Sequence, residues 1–167
     1  MIPTYAPNDI SVIINYNGDS HVISGYMEDT MITFTPNSQR HSMFTSADNK
    51  AARVRLGDNS KTLSITLNQT SVSNDMLFAI HADDVANSDG WFELFVKDNN
   101  GRTFLQSNDC YILTTPSATF GTTIQPREWQ IYIHNPTEYI GGNDQVSPSD
   151  AAMLSGLNVT LDSRWTS

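Results

Sequence analysis

The segment Lys61 to Gln69 alternates polar and apolar side chains without interruption, which is typical of a β-strand with one buried face. Successive side chains of a strand point to opposite faces, so Leu63, Ile65 and Leu67 lie together on the apolar face. The opposite face is polar but uncharged, as in an ordinary solvated sheet or in the wall of a water-filled channel. That polar face consists of Thr62, Ser64, Thr66 and Asn68.

Composition extends this strand-forming pattern to the rest of the chain. Of the 167 residues, 50 are Ser, Thr or Asn, whereas only 38% are hydrophobic and 16% are charged. Ser, Thr and Asn side chains compete with the helical backbone for hydrogen bonds and favour strands, caps and turns. We therefore expect a mainly β fold, either a β-sandwich or a partly closed barrel, in a single domain with an appended arm.

One segment departs from the strand pattern and predicts a flanking helix over residues 71–86. Leu77, Ile80 and Val85 form its apolar stripe. Asp83 and Asp84 lie near its C-terminal end, where the helix dipole disfavours negative charge. We therefore expect these two carboxylates to face solvent or a partner.

The alternating strand pattern ends before Pro136 and a loop-like segment follows at Tyr139 to Asn143, so we predict the domain boundary here. Residues 1–135 carry the predicted strands and the helix, and residues 136–167 form the predicted C-terminal arm. Within the arm, Pro148 to Leu154 is a candidate short helix capped by Ser147 or Ser149, and Leu157 to Leu161 is a candidate strand.

Residues 37–52 form a long polar segment without a clear period, and we expect a loop there. A loop of about 15 residues is unusual inside a compact domain unless it has a function or is disordered. Met43 and Phe44 lie in its middle. These two side chains either fold back onto their own domain or insert into a neighbouring molecule.

The charge of the chain is divided unevenly around this segment. The net charge is −9, yet residues 40–61 contain five basic residues and two acidic residues. Such separation favours association between unlike surfaces, including copies of one chain, although a chance cluster gives the same pattern. The acidic excess disfavours non-specific binding of nucleic acid. The basic residues are Arg40, Lys50, Arg53, Arg55 and Lys61.

The sequence shows no arrangement typical of catalysis. It contains no phosphate-binding glycine loop or nucleophile elbow, and its four histidines show no metal-ligand spacing with Cys110. We expect no cofactor, no metal and no enzymatic activity, and a structural role for the Cys110 thiol. No apolar run approaches the length of a membrane span, and Met1 to Asp9 lacks the features of a secretory signal.

Several segments, taken in order, resemble the tail tube proteins of contractile-tailed bacteriophages. The resemblance covers residues 8–142, and it depends on the order of the segments rather than on any one of them. The segments that carry it are Ile23 to Glu28, Met31 to Phe34, Leu63 to Leu67, Gln69 to Asp75, Phe95 to Gly101, Ala118 to Gly121 and Arg127 to Trp129.

The resemblance implies a structural virion protein whose hexameric rings stack into the inner tube of the tail. The loop at residues 37–52 would then reach a neighbouring subunit, with Met43 and Phe44 as its anchors. The helix would face the sheath, with Asp83 and Asp84 as candidate contacts. The lumen would hold the tape measure protein and then the transiting DNA without binding DNA specifically.

The same resemblance implies a location in the virion tail after assembly in the cytoplasm of the host bacterium. The resemblance assigns no counterpart to the arm at residues 136–167. A carbohydrate-binding β-sandwich of a tail fibre or baseplate is the alternative, because such modules carry exposed aromatic residues. Trp91 and Trp129 are the candidate sugar-contacting residues.

Overall fold

A computed structural model describes residues 2–28 and 31–166. The predicted domain (residues 1–135) and the predicted arm (residues 136–167) are therefore described except for residues 1, 29, 30 and 167. In this part of the chain six strands precede the first α-helix, and four more strands lie between it and the second. The helices are α1 (Ser73–Asn87) and α2 (Pro148–Gly156). The strands are β1 (Ile10–Tyr16), β2 (Asp19–Val22), β3 (Ile32–Pro36), β4 (His41–Thr45), β5 (Ala51–Arg55), β6 (Lys61–Asn68), β7 (Phe92–Asp98), β8 (Phe104–Thr114), β9 (Pro126–His134) and β10 (Thr137–Tyr139).

Eight of the strands form one sheet in the order β2-β1-β7-β8-β9-β6-β3, with β10 paired to β8. Neighbouring strands of this sheet pair antiparallel. Strands β4 and β5 pair only with each other and form a separate two-stranded sheet. The mainly β prediction is confirmed, and the core lies inside one sheet rather than between two.

The segment between β2 and β3 brings the two sides of the sheet together. The Ile23 amide donates to the carbonyl of Val12 in β1, and the Met27 amide donates to that of Thr66 in β6. Gly25 lies between them with a φ of +76°, and a Cβ there would lie 2.7 Å from the Cβ of Ser71. A glycine is required at this crossing, which partly closes the sheet into a barrel.

The core follows from the alternation of the strands. Each of β1, β6, β8 and β9 turns one apolar face inward, while its alternate residues stay partly or fully exposed. The prediction that Lys61 to Gln69 has one buried face is confirmed. The largest fully buried side chains of these strands include Leu63, Ile65, Leu67, Leu105, Ile131 and Ile133.

Helix α1 packs on the core through Leu77 and Ile80. The indole Nε1 of buried Trp129 donates a 2.9 Å hydrogen bond to Oδ1 of Asn74, which joins β9 to the first turn of the helix. The predicted helix over residues 71–86 is confirmed, with its start two residues later. Val85 differs from the expectation, because it lies on the exposed side.

The predicted arm begins inside the main sheet, because β10 pairs with β8. The Lys61 ammonium, which is buried, forms a 2.5 Å ion pair with Glu138 of β10. Further along, the guanidinium groups of Arg102 and Arg164 each lie 5.0 Å from the ring centroid of buried Trp165. Both ends of the segment are therefore held on the β domain.

Between these attachments α2 has no buried residue. Ser147 caps it by accepting a hydrogen bond from the Asp150 amide, so the predicted short helix and its cap are confirmed. The candidate strand at residues 157–161 is wrong, because this segment has no strand pairing in the structure.

The loop expected over residues 37–52 is also wrong in its secondary structure, since it contains β4 and the first two residues of β5. Apolar and polar residues alternate along a strand when one of its faces is buried. Neither face of this hairpin is buried. Basic and apolar residues alternate only from Arg53 to Leu56, which is too short a stretch to predict a hairpin.

Replacing Trp129 with Phe should lower the free energy of unfolding by about 1–3 kcal/mol, because it removes the bond to Asn74 and leaves space in the core. Urea denaturation of dilute protein measures the change. Trp91→Phe is the matched control, since this indole is 50% exposed whereas Trp129 is 2% exposed. Equal losses in both variants would contradict the assigned role of Trp129.

Candidate functional site

The hairpin formed by β4 and β5 is the most exposed part of the sheet structure, and we call residues 40–55 the basic hairpin. Its register places Met43 opposite Arg53 and Phe44 opposite Ala52. Because Met43 and Phe44 are adjacent in a strand, they lie on opposite faces. One face is cationic and carries His41, Met43, Arg53 and Arg55, whereas the other carries Ser42, Phe44, Ala52 and Val54.

No residue of β4 or β5 is buried. Met43 is 70% exposed and Phe44 is 59% exposed, so neither side chain folds back onto its own domain. Isolated two-stranded hairpins are marginally stable in water, and large exposed apolar side chains mark interaction surfaces. The arrangement therefore favours insertion of Met43 and Phe44 into another molecule over packing of these side chains on their own domain.

The basic cluster is smaller at the surface than the sequence indicates. Arg40, Arg53 and Arg55 are exposed, and Lys50 forms a 3.4 Å surface ion pair with Asp48. Lys61 is different, because its ammonium is buried beside Glu138 and lies 5.4 Å from the ring centroid of Phe34. Lys61 therefore belongs to the core of the domain and not to the exposed cation cluster.

The polar face of β6 lies on the outside of the sheet. Thr62 donates to Oδ1 of Asn37 at 2.7 Å, and Ser64 donates to Oε1 of Glu128 at 3.1 Å. The face continues onto β9, which is the antiparallel neighbour of β6. No Lys or Arg lies at these outward positions of β6 and β9. The outward residues include Thr62, Ser64, Thr66, Asn68, Glu128, Gln130, Tyr132 and His134.

An aromatic row crosses the same outer surface. Tyr111 and Tyr132 are cross-strand neighbours whose rings stack at 4.9 Å, and Trp91 meets Tyr111 edge-on at 5.2 Å. The stacked tyrosine faces cover each other, which stabilises the sheet. Trp129 is buried, so it cannot contact a sugar. The structure gives the carbohydrate-binding alternative no specific support.

Asp83 and Asp84 are partly exposed, and both are hydrogen-bonded within the molecule. The Tyr16 hydroxyl donates to Asp83, as does the Asn87 amide, and these bonds hold the pKa of Asp83 below its ordinary value. The bond to Asp83 also raises the pKa of Tyr16. Oδ1 of Asp84 accepts from the Gly90 amide at 3.0 Å. Their predicted contact with a sheath stays a prediction.

The outer side of α1 is apolar, which the sequence pattern did not reveal. The side chains of Met76, Phe78 and Val85 are exposed on the helix, together with that of Val72 directly before it. A helical period identifies the apolar positions of a helix but does not show which of them its own domain covers. Exposed apolar side chains of this size on one helix mark a second contact surface.

The described residues contain no group of three or more His, Cys, Asp or Glu side chains that could hold a metal ion. Cys110 is fully buried, and burial raises the pKa of its thiol to about 12. Within residues 2–28 and 31–166, neither helix has the length and the apolar content to cross a membrane.

The full-length comparison with known proteins gives one clear relationship. The chain is 36% identical over 166 residues to structural protein ORF10 of Pseudomonas phage KPP10, and the alignment covers 97% of this chain and 96% of the phage protein. The chain belongs to this family of phage structural proteins. Membership agrees with the expectation of a structural protein rather than an enzyme. No family model matches the sequence.

The fold of this phage structural protein is similar to that of chains in several solved structures. A chain of the anti-feeding prophage baseplate matches with a TM-score of 0.58 at 8% identity, covering 83% of this chain and 97% of that chain. A chain from the tail of an empty gene transfer agent particle matches with a TM-score of 0.53 at 16% identity, and the match covers 82% of this chain and 100% of that chain.

A third match comes from the sheath–tube complex of an extracellular contractile injection system. Its TM-score is 0.51 at 6% identity, covering 77% of this chain and 87% of that chain. At such low identities the likeness concerns the fold alone. The predicted tail-tube-like fold is confirmed.

Replacing Tyr16 with Phe should raise the pKa of Asp83 towards its ordinary value, because the strongest hydrogen bond to the carboxylate is lost. The lowered pKa contributes stability above the unfolded-state pKa and loses it as the pH falls through the folded-state value. NMR titration of the Asp83 carboxyl carbon measures the shift. Tyr5→Phe is the control, and an unchanged pKa in Tyr16→Phe would contradict the assignment.

Proposed function

We propose that this phage structural protein is the tail tube subunit, which forms hexameric rings that stack around a DNA-conducting channel. The observation that carries the proposal is the basic hairpin, which has two exposed faces and no buried residue. Membership in a family of phage structural proteins supports it. The fold shared with a chain of a C6-symmetric tail and a chain of a sheath–tube complex supports it further.

The two faces of the hairpin require partners of different chemistry. The face with Phe44 and Val54 fits an apolar surface, while the face with Arg53 and Arg55 fits carboxylates. The rest of the chain provides acidic surface, since its net charge remains negative when the hairpin is left out. A second copy of the chain therefore supplies both kinds of surface, and tubes arise when such contacts repeat without closing.

The outer face of β6 and β9, whose outward positions carry no Lys or Arg, is the proposed channel wall. Each phosphate contact from Lys or Arg adds affinity for DNA, so a wall without cations lets DNA pass without being held. Thr62, Ser64, Thr66 and Asn68 are the proposed lumen-facing residues of β6. In a contractile tail the tube would lie inside a sheath in the virion, assembled in the cytoplasm of the host, and would enclose the tape measure protein before DNA passes.

Replacing both Met43 and Phe44 with Ser should abolish tubes while leaving the monomer folded, because neither side chain contributes to the core. Negative-stain electron microscopy detects the tubes, and circular dichroism with urea denaturation reports the fold. Met153→Ser with Leu157→Ser is a matched control, since Met153 in α2 is 68% exposed and Leu157, directly after α2, is 63% exposed.

The control should form tubes as the natural protein does. Normal tubes from the Met43/Phe44 variant would contradict the role of the hairpin. A natural protein that stays monomeric at high concentration, even when produced with its sheath protein, would contradict the tube itself.

Replacing Ser64 and Thr66 with Lys should make assembled tubes retain duplex DNA in a salt-dependent manner, because each added cation gains phosphate contacts. The measurement is protection of the DNA from a nuclease too large for the channel. Tubes of the natural sequence should retain none. DNA that binds the variant but is fully digested would show that this face lies on the outside of the tube.

A further inference from the structure

The basic hairpin and α1 lie at opposite ends of β6. The hairpin comes directly before this strand, and its base is fixed by a 3.1 Å hydrogen bond from the Asn37 amide to the Ser60 carbonyl. Helix α1 follows the strand, and the side chain of Asn74 donates to the Asn68 carbonyl at 2.9 Å. Eight residues of strand separate the two ends by about 26 Å. We call them the hairpin end and the helix end.

The helix end has an apolar surface that its own domain does not cover. Phe78 and Val85 are seven residues apart, so they share one side of α1, while Val72 and Met76 lie on its other outward side. These four side chains are between 43% and 74% exposed. Leu77 and Ile80 point the opposite way, into the core. The helix therefore presents apolar surface to solvent or to another molecule along its outward side.

The charges at the two ends are opposite. Residues 71–90, which include α1, contain four aspartates and no Lys or Arg. One of them, Asp83, is held in its ionised form by the bonds from Tyr16 and Asn87. The basic hairpin contains four cations and one aspartate. Arg53 and Arg55 lie on the opposite face of the hairpin from Phe44 and Val54. The unlike charges therefore attract and orient the two ends, while the apolar face makes the contact.

We propose that the outward side of α1 in one copy receives the Phe44, Ala52 and Val54 face of the basic hairpin from a second copy. The inference rests on the proposed tube, because it specifies which surface the hairpin meets there. The two surfaces differ and lie at opposite ends of the molecule, so the contact is head-to-tail and continues from copy to copy. The same surface of α1 is then a tube contact rather than a sheath contact.

A disulfide between the two surfaces tests the contact directly. In the double variant Phe44→Cys with Phe78→Cys, each copy carries both partners, so oxidation of assembled tubes should give a ladder of covalent multimers on a denaturing gel. The bond forms only where the Cα atoms approach within about 7 Å. The natural Cys110 does not interfere, because it is fully buried.

Three controls make the result specific. Each single cysteine variant should give no ladder, and neither should Phe44→Cys with Met153→Cys, which moves the second thiol to an equally exposed site on α2. Val54→Cys with Val85→Cys tests the same contact if the first pair fails to assemble. A ladder from either α1 pair supports the proposal.

Tubes that form from both α1 pairs without a ladder would overturn the proposed contact and leave the tube function intact. Phe78→Asp distinguishes a tube contact of α1 from a sheath contact. If the proposed contact is right, this variant should not form tubes. Normal Phe78→Asp tubes that no longer retain sheath protein would overturn the proposal and assign α1 to the sheath. Natural protein without rings or tubes would overturn the proposed function and this contact together.

Discussion

Burial of one face of a single curved sheet is the constraint on which the rest of the structure depends. Strict alternation in β6 and its neighbours directs Leu63, Ile65 and Leu67 inward, and α1 adds Leu77 and Ile80 to the same core. This core uses a modest share of a chain that is 38% hydrophobic. The remaining apolar side chains therefore include many on the basic hairpin, on the outward side of α1 and on α2, where the chain itself offers no cover.

The parts of the fold that this constraint governs were predictable from the sequence. Residues 61–69 and the helix over 71–86 were found because burial of one side leaves a period of two or of 3.6 residues. The pattern does not predict the hairpin strands, because neither of their faces is buried. It does not predict the outward position of Val85 either, because a period does not show which apolar residues the domain covers. Lys61 was grouped with the exposed cations, since its pairing with Glu138 depends on a contact between residues distant in the sequence.

The function follows from what the core leaves uncovered rather than from a cavity or a reactive group. Polar uncharged side chains line the outer face of β6, a cationic and apolar hairpin projects from one end, and an acidic and apolar helix covers the other. Exposed apolar surface on the hairpin and the helix is unfavourable in an isolated monomer, and in the proposed tube neighbouring copies would cover it. The abundance of Ser, Thr and Asn is consistent with that proposal, in which surface positions form channel wall and interface as well as solvated exterior.

Hydrogen–deuterium exchange of the amides in residues 41–55, compared between monomer and assembled protein, tests the central claim most directly. The hairpin lacks buried side chains in the monomer, so its amides should exchange fast there and become strongly protected on assembly, while those of β6 stay protected in both states. Equal exchange of the hairpin in the two states would contradict the account, because the hairpin would then gain no cover from neighbouring copies.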